Sequence, residues 1–180
     1  LFFPCSVTYL TITNFNKMRA IIFEMRYSVQ LSFLTLRVNM NPEYFMQLAL
    51  TEAKKGDAPY GAVIVKNNQV VAVAHNTVRR GNDPSAHAEI NAIRSLTAKL
   101  QNPSLEGYSI YTTGEPCPMC ATACVWTGIS EIIYGASIQD LVAVKQSQID
   151  ISCEEVIARG FRNIKVKKGV LREECLDLFK

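Results

Sequence analysis

The sequence is short of long apolar runs. In residues 1–39, where apolar residues cluster, no run reaches the ~18 residues that a membrane span needs. The same residues lack the order of a positive, an apolar and a small-residue region that is typical of a secretory signal. We therefore expect no membrane partner.

Most of the chain has no excess of charge of one sign. Residues 1–39 contain four basic residues and one acidic residue, whereas residues 40–180 contain 15 of each. Because contacts to phosphates dominate nucleic-acid affinity, this balance disfavours a nucleic-acid partner. A hydrophobic share of 48% and a charged share of 19% are those of a soluble globular protein.

The cysteine spacing is unlike that of a disulfide framework. Three of the six cysteines, Cys117, Cys120 and Cys124, lie within eight residues of one another, which suits a metal better than disulfides. The other three are scattered. This usage favours a reducing, cytoplasmic location.

A helix start follows Met40 directly. Asn41 is a good N-cap, Pro42 suits the first helical position, and Glu43 suits the first turn. We therefore predict one domain over residues 40–180. Residues 1–39 are predicted to be an N-terminal extension: a tail or upstream sequence outside the native domain, or else a targeting or regulatory segment.

Strand and helix patterns alternate through the predicted domain. Residues 61–65 and 70–74 are apolar and rich in β-branched residues, and Asn67-Asn68 between them predicts an antiparallel hairpin. Further strands are predicted over 108–112, 132–135 and 164–166. Helices are predicted from Asp83 as N-cap to about Leu100, and over 117–127, 154–158 and 171–179. The spacing of the last two strands allows a parallel crossover, so the pattern favours an α/β layered fold with a mixed sheet.

Two short motifs contain the residue types of a zinc site. His87-Ala88-Glu89 and Pro116-Cys117-Pro118-Met119-Cys120 supply one imidazole and two thiolates. His87, Cys117 and Cys120 would fill three positions of a tetrahedral zinc, and a fourth position left for water is typical of a catalytic site. Zn²⁺ lowers the pKa of a bound water to about 7, which favours hydrolysis.

Glu89 lies two residues from His87 and is the candidate proton shuttle. Its alternative is a solvated glutamate in the first turn of a helix. Cys124, one turn after Cys120, could be a fourth ligand that closes the site, although packing on the helix explains it more simply. His75 is interpreted as a packing residue.

The two motifs resemble those of the cytidine deaminase-like superfamily of zinc-dependent base deaminases. The resemblance covers nearly all of residues 41–180. Residues 82–90 and 115–120 are similar to guanine deaminases, to related nucleoside deaminases and to tRNA adenosine deaminases. The resemblance implies a three-layer α/β/α fold with a mixed five-stranded sheet, a zinc cofactor, an aminohydrolase activity and a homodimer.

The resemblance also implies roles for individual residues. His87, Cys117 and Cys120 correspond to the zinc ligands and Glu89 to the proton shuttle. Asn76 corresponds to a base-contacting asparagine, and the backbone amide of Ala88 to a further contact with the base. Residues 59–62, with Tyr60, match one wall of the pocket, and Glu115-Pro116 the place where ammonia leaves.

The substrate is less sharply indicated. Trp126 lies where guanine deaminases carry a tryptophan, which would form part of a small pocket, although a core aromatic is the alternative. The acidic residues that could read a purine amino group are Asp140, Asp150, Glu154 and Glu155. We rank a guanine-like free base or nucleoside first and a tRNA adenosine, deaminated to inosine, second. A non-catalytic structural zinc-binding module is the alternative from another class.

Overall fold

The computed structural model describes residues 41–180, so the predicted extension over residues 1–39 lies outside the described residues. Five strands occur in the described part: β1 (Gly61–Lys66), β2 (Gln69–His75), β3 (Ser109–Gly114), β4 (Glu131–Ala136) and β5 (Lys165–Lys167). The helices of the same part are α1 (Pro42–Ala53), α2 (Val78–Gly81), α3 (Ala88–Leu100), α4 (Pro118–Thr127), α5 (Ile138–Ala143), α6 (Cys153–Ala158) and α7 (Arg172–Asp177).

The strands form one mixed sheet in the order β2-β1-β3-β4-β5. β1 pairs antiparallel with both β2 and β3, whereas β3, β4 and β5 run parallel to one another. The predicted hairpin and the predicted parallel crossover are both confirmed. α6 lies in the connection between β4 and β5, as a parallel crossover requires.

Helices cover both faces of the sheet, which gives the three layers predicted from the resemblance. One face packs against α3, α4 and α6 through a cluster that includes Ile93, Leu96 and Val125. The opposite face packs against α1, α5 and α7 through a cluster that includes Phe45 and Leu141. Apolar residues on alternate positions of β1 enter the two clusters, because successive side chains of a strand point to opposite faces.

Local sequence signals explain the first helix and the hairpin. The side-chain oxygen of Asn41 accepts a hydrogen bond from the backbone N–H of Tyr44 at 3.0 Å, and Pro42 occupies the first turn of α1. Asn67 and Asn68 both have positive φ, at 49° and 61°. A two-residue turn with positive φ at both positions matches the twist of the flanking strands, and asparagine tolerates it well.

The predicted start of the third helix is wrong by four residues. Asp83 does not cap a helix. Its carboxylate accepts the backbone N–H of Ser85 at 2.8 Å, and its carbonyl accepts that of Ala86 at 3.0 Å, which forms a local turn. The chain is then extended at His87, with ψ of 158°, and α3 begins at Ala88. His87 is consequently the N-cap of α3 instead of a residue of its first turn.

Two short helices are absent from the sequence prediction. α2 and α5 have four and six residues, too few for a helical periodicity to be visible. α5 begins with a capping box, in which Ser137 accepts the N–H of Asp140 and Asp140 accepts that of Ser137. In residues 41–180 no helix is long and apolar enough to cross a membrane.

Candidate metal centre and active site

The candidate residues converge at one edge of the sheet. β3 and β4 run parallel and end together there, with Gly114 opposite Ala136. β1 begins and β2 ends at the same edge, with Gly61 opposite His75. Segments that are distant in the sequence therefore meet beyond this edge, which is where α/β folds usually bind ligands.

The three predicted ligand atoms lie close together. His87 is the N-cap of α3 and Cys117 is the N-cap of α4, so each is held where a helix begins. The Nδ1 atom of His87 lies 3.7 Å from the sulfur of Cys117 and 3.6 Å from the sulfur of Cys120. Among the described residues, these three form the group of histidine, cysteine and acidic side chains that could hold a metal ion.

The spacing and the chemistry of the three donors fit zinc. Zn–N bonds of about 2.0–2.1 Å and Zn–S bonds of about 2.3 Å at tetrahedral angles separate nitrogen from sulfur by about 3.6 Å. The observed distances of 3.6 and 3.7 Å agree with that value. One imidazole and two thiolates are also the donor types that Zn²⁺ prefers.

Cys117 is disposed to bind as a thiolate. A hydrogen bond from the Cys120 thiol, together with His87, lowers the pKa of Cys117 to about 4, although burial acts in the opposite direction. The same contact raises the pKa of Cys120, since its own thiol proton is held in the hydrogen bond to the Cys117 thiolate. A divalent cation among the three donors replaces that proton, because coordinating thiols are deprotonated outright.

Cys124, the candidate fourth ligand, and His75, the interpreted packing residue, both have partners away from the three donors. The Cys124 thiol is fully buried in the cluster between the sheet and α3, α4 and α6, and burial raises its pKa. The Nδ1 atom of His75 lies 2.8 Å from a carboxylate oxygen of Glu52 on α1. Neither residue belongs to the metal-binding group.

Glu89 is buried beside the ligands, with 6% of its surface exposed. It is the second residue of α3. Burial raises the pKa of Glu89 to about 7, and the nearby negative charge of Cys117 adds to the rise. A carboxyl group whose pKa is close to neutral can both accept and donate a proton. A solvated first-turn glutamate would not have this environment.

Asn76 and Ala88 offer hydrogen-bond donors at the same edge. The backbone of Asn76 donates to the carbonyl of Tyr60 at 3.1 Å, and its side-chain oxygen accepts the N–H of Val78 at 3.2 Å. That bond orients the amide and leaves its NH₂ group as the donor. Ala88 is the first residue of α3, where the backbone N–H has no acceptor within the helix.

Tyr60 is held by residues from two distant segments, and the residue after it allows a close approach of α1. Gly61 allows α1 to approach β1, because a Cβ atom there would lie 2.1 Å from the carbonyl oxygen of Ala49. The Tyr60 hydroxyl accepts a hydrogen bond from Gln148 at 3.0 Å, and its ring packs against Phe179 with centroids 5.1 Å apart. Burial raises the pKa of Tyr60 to about 12, and the charges of Glu89 and Cys117 contribute. Gln148 was not predicted, since nothing local marks a contact across 88 residues.

This geometry has counterparts in known proteins. The sequence matches the family model described as the cytidine and deoxycytidylate deaminase zinc-binding region over residues 40–136. The chain belongs to this deaminase family. The family, and the three zinc-type donors, identify the protein as a zinc-dependent deaminase, a hydrolase acting on C–N bonds.

Similar curated proteins have two kinds of substrate in their names. A tRNA-specific adenosine deaminase of Buchnera aphidicola subsp. Baizongia pistaciae is 36% identical over 140 residues, which cover 76% of this chain and 84% of that protein. The tRNA-specific adenosine deaminase of Aquifex aeolicus is 45% identical over 101 residues, covering 54% and 67%. The guanine deaminase of Bacillus subtilis is 41% identical over 106 residues, covering 56% and 68%.

The similar solved structures also include both tRNA deaminases and guanine deaminases. A structure from work on A-to-I editing by tRNA:A34 deaminases is 33% identical with a TM-score of 0.66, covering 75% of this chain and 98% of that one. A guanine deaminase from Nitrosomonas europaea is 26% identical with a TM-score of 0.65, covering 77% and 82%. These similarities leave the substrate of the deaminase open between the two classes.

The structure places Trp126 on the surface of the described part of the deaminase. Its side chain is 70% exposed and packs edge-on against Phe161, with ring centroids 5.1 Å apart. Trp126 follows Cys120 by six residues, which is about 120° around the helix. The interpretation as a core aromatic is therefore wrong, and among the described residues the ring is not enclosed by a pocket.

Glu115 connects the metal loop to the segment after β4. Its two carboxylate oxygens accept backbone N–H groups from Ile138 at 3.0 Å and from Cys153 at 2.8 Å. These are the first residues of α5 and α6, and Glu115 itself is buried. By accepting N–H groups from two helix N-termini, the Glu115 carboxylate fixes the backbone next to Cys117. The sequence did not reveal this role of Glu115.

Proposed function

We propose that the protein is a hydrolytic deaminase of a purine, with an adenosine in the anticodon loop of a tRNA as the favoured substrate. The observation that carries the reaction is the burial of the Glu89 carboxyl beside His87, Cys117 and Cys120. A carboxyl with a near-neutral pKa next to a three-donor metal site suits the transfer of protons to and from a substrate.

His87, Cys117 and Cys120 would hold Zn²⁺, which supplies an activated water when it is bound. Glu89 would accept one proton from that water, whose oxygen bonds to the amine-bearing carbon, and would pass the proton to a ring nitrogen of the base. It would then take the remaining proton from the added hydroxyl and deliver it to the amine, so that the carbonyl forms, the carbon–nitrogen bond breaks and ammonia leaves. The product has a carbonyl where the substrate had an amino group, and no oxidant or reductant is needed.

Asn76 and Ala88 would orient the base. The Asn76 amide presents its NH₂ group because its oxygen is bound to the N–H of Val78. The N–H of Ala88 lies between the ligand His87 and the shuttle Glu89 in the chain. Two donors on a rigid frame fix the plane of a purine and bring its amine-bearing carbon to the reacting position.

The acidic side chains after β4 favour adenine over guanine. A site that reads the 2-amino group of guanine needs an acceptor, and the sequence offered four candidates. Asp140 is paired with Arg172, Glu154 with Lys168 and Glu155 with Arg159. The fourth, Asp150, accepts a long hydrogen bond of 3.4 Å from Gln139. With these groups engaged, adenine, which has no such amino group, fits better.

Among the similar proteins that cover about three quarters of the chain, sequence identity supports the same ranking, at 36% for the Buchnera protein and 26% for the guanine deaminase from Nitrosomonas europaea. The Buchnera protein, which matches 76% of the chain, is named a tRNA-specific adenosine deaminase. The guanine deaminase of Bacillus subtilis matches 56%. On this basis we place the tRNA adenosine first, ahead of the guanine-like base that the sequence alone favoured.

Guanine is the second candidate because of the charge balance. Residues 40–180 contain equal numbers of basic and acidic residues, and a small neutral base needs no basic surface. A tRNA substrate instead requires local basic groups, and its binding would weaken steeply with salt.

Ammonia release separates these candidates. The zinc-loaded protein is incubated with a tRNA anticodon stem-loop that contains adenosine at the wobble position, and separately with guanine, adenosine and cytosine. We expect release with the stem-loop alone, with inosine as its product. Release with guanine alone would overturn the proposed substrate, and release with none of them would favour the structural zinc-binding module.

We also propose that the protein is a homodimer, as the resemblance implies. The support is the exposed pair of Trp126 and Phe161, since adjacent exposed aromatic rings are typical of interfaces. In a dimer, Trp126 could line the pocket of the other protomer. We expect light scattering to give twice the mass of the chain, and the double change of Trp126→Ala and Phe161→Ala to reduce it. A monomeric mass for the unchanged protein would contradict the proposal.

A further inference from the structure

Asn91 lies on α3, one turn beyond the ligand His87, and its backbone N–H donates to the carbonyl of His87 at 2.9 Å. Its side-chain nitrogen, Nδ2, has three acceptors. The carbonyl oxygen of His75 and the hydroxyl of Thr77 each lie at 2.9 Å, and the carbonyl oxygen of Ala86 lies at 3.2 Å. One amide thus joins three segments around the candidate site.

These acceptors belong to residues that are adjacent in the chain to two residues of the proposed active site. His75 and Thr77 flank Asn76 on either side, and Ala86 directly precedes His87. The backbone N–H of Thr77 also donates to the carbonyl of Ala86 at 3.0 Å. The Asn91 amide therefore reinforces the backbone hydrogen bond between Thr77 and Ala86, and it ties the end of β2 to the start of α3.

The orientation of Asn76 depends on this backbone. The Asn76 oxygen is bound to the N–H of Val78, so its NH₂ group points wherever residues 75–78 direct it. Substrate contacts require placement within a few tenths of an ångström, and such precision comes from the residues that hold the contacting group. Asn91 contacts both neighbours of Asn76.

All three partners of Nδ2 are oxygens, so the site requires a donor. Aspartate has nearly the shape of asparagine but is acceptor-only when it is ionised. A carboxylate oxygen would lose the hydrogen bonds to the two carbonyl oxygens and be repelled by them, even though the Thr77 hydroxyl can turn to donate, whereas the packing volume would stay the same. This distinguishes a hydrogen-bonding role from a space-filling one.

We propose that Asn91 is a positioning residue, which fixes the position of the base-contacting Asn76 relative to the metal ligand His87. The inference rests on the proposed function, because Asn76 is assigned its substrate contact there. Asn91 itself touches neither the substrate nor the metal; it acts through residues 75, 77 and 86.

Kinetics of matched variants test the role. Asn91→Asp and Asn91→Ala are compared with Asn102→Asp, an exposed control in which the amide oxygen, and not the nitrogen, is used. With the wobble-adenosine stem-loop we expect Asn91→Asp to raise KM about 10-fold, the loss of roughly one hydrogen bond, and to change kcat less. Zinc content should stay at the unchanged protein's level. An Asn91→Asp variant with unaltered KM would overturn the proposal.

A double-mutant cycle gives a sharper test. If Asn91 acts through Asn76, Asn91→Asp should lower kcat/KM by less than 2-fold once Asn76→Ala is present, because there is no contact left to misplace. Fully independent effects of the two changes would overturn the positioning role. An Asn76→Ala variant with undiminished kcat/KM would instead contradict the substrate contact in the proposed function.

Hydrogen exchange tests the positioning without any substrate. The Val78 and Thr77 amides should exchange about 10-fold faster in Asn91→Asp than in the unchanged protein, since their acceptors are on residues 76 and 86. The Asn102→Asp control should leave both rates unchanged. Unaltered protection of Val78 and Thr77 in Asn91→Asp would refute the inference even if the proposed substrate is correct.

Discussion

The Nδ1 atom of His87 lies 3.6 Å from the sulfur of Cys120, although the two residues are 33 positions apart. The N-termini of α3 and α4 bring them together, because both helices pack on the same face of the sheet. Two rigid helices fix this distance more firmly than a loop would. The resulting donor set makes the metal site the first feature to test.

Zinc binding should depend on Cys120 and not on Cys124. Cys120→Ala should lose stoichiometric zinc, because it removes one of three donors, whereas Cys124→Ala should keep one zinc per chain. Cys124→Ala should lower the free energy of unfolding by about 1 kcal/mol through the loss of a buried side chain. Metal analysis after dialysis, combined with urea unfolding, measures both. Loss of zinc from Cys124→Ala would show that the site is closed by a fourth protein ligand.

Glu89→Gln should keep the zinc and lose turnover. The amide has the same shape but cannot transfer protons, so kcat should fall by about 10²–10⁴. Glu43 is a matched control, since it is the second residue of α1 as Glu89 is of α3, and it is exposed. Glu43→Gln should leave both zinc and kcat unchanged. Ammonia release and metal content are measured on the same samples, and full activity of Glu89→Gln would exclude the shuttle role.

Glu115 should be a main determinant of stability near the site. Glu115→Ala leaves the buried N–H groups of Ile138 and Cys153 without acceptors, which should cost about 2–4 kcal/mol. Glu115→Gln keeps one acceptor oxygen and should cost less. Urea unfolding of the zinc-loaded proteins measures the difference, with Glu106→Ala as the exposed control. Equal stabilities for the two Glu115 variants would mean that the hydrogen bonds contribute little.

The ion pair of Arg172 and Asp140 should stabilise the fold in a pH-dependent way. Hydrogen bonds from Arg172, with help from Ser137, lower the pKa of Asp140 from 3.8 to about 2. The folded-state pKa is depressed, so the stabilisation is present above pH 4 and is lost as the pH falls from 4 to 2. Arg172→Ala should lower the free energy of unfolding at pH 7, and only modestly, because the guanidinium is exposed and solvent screens the pair.

At pH 2, close to the folded-state pKa of Asp140, most of the difference in stability between Arg172→Ala and the unchanged protein should be lost. Urea unfolding at pH 7, 4 and 2 gives the three differences, in which any common loss of zinc at low pH cancels. Arg159→Ala removes a more exposed pair with Glu155 and should change stability by less than about 0.5 kcal/mol. A difference for Arg172→Ala that stays constant down to pH 2 would contradict the pairing.

Local chemistry made several elements predictable. Asn41 and Pro42 define the start of α1, and Asn67-Asn68 define the hairpin, because caps and tight turns depend on a few adjacent residues. The wrong prediction of a helix start at Asp83 also arose from a local sequence signal. An Asp-Pro pair suits a helix N-cap and an isolated turn equally well, and the choice depends on where the following chain must go.

The sequence by itself determined the metal donors, the adjacent acid and the alternation of strands and helices. Each of these resides in residue type and short spacing. Only the tertiary structure decided the burial of Glu89, the contact of Gln148 with Tyr60, the two acceptors that Glu115 provides and the exposure of Trp126. These depend on the approach of segments separated by up to 88 residues, and packing of the whole sheet, not local propensity, sets that approach.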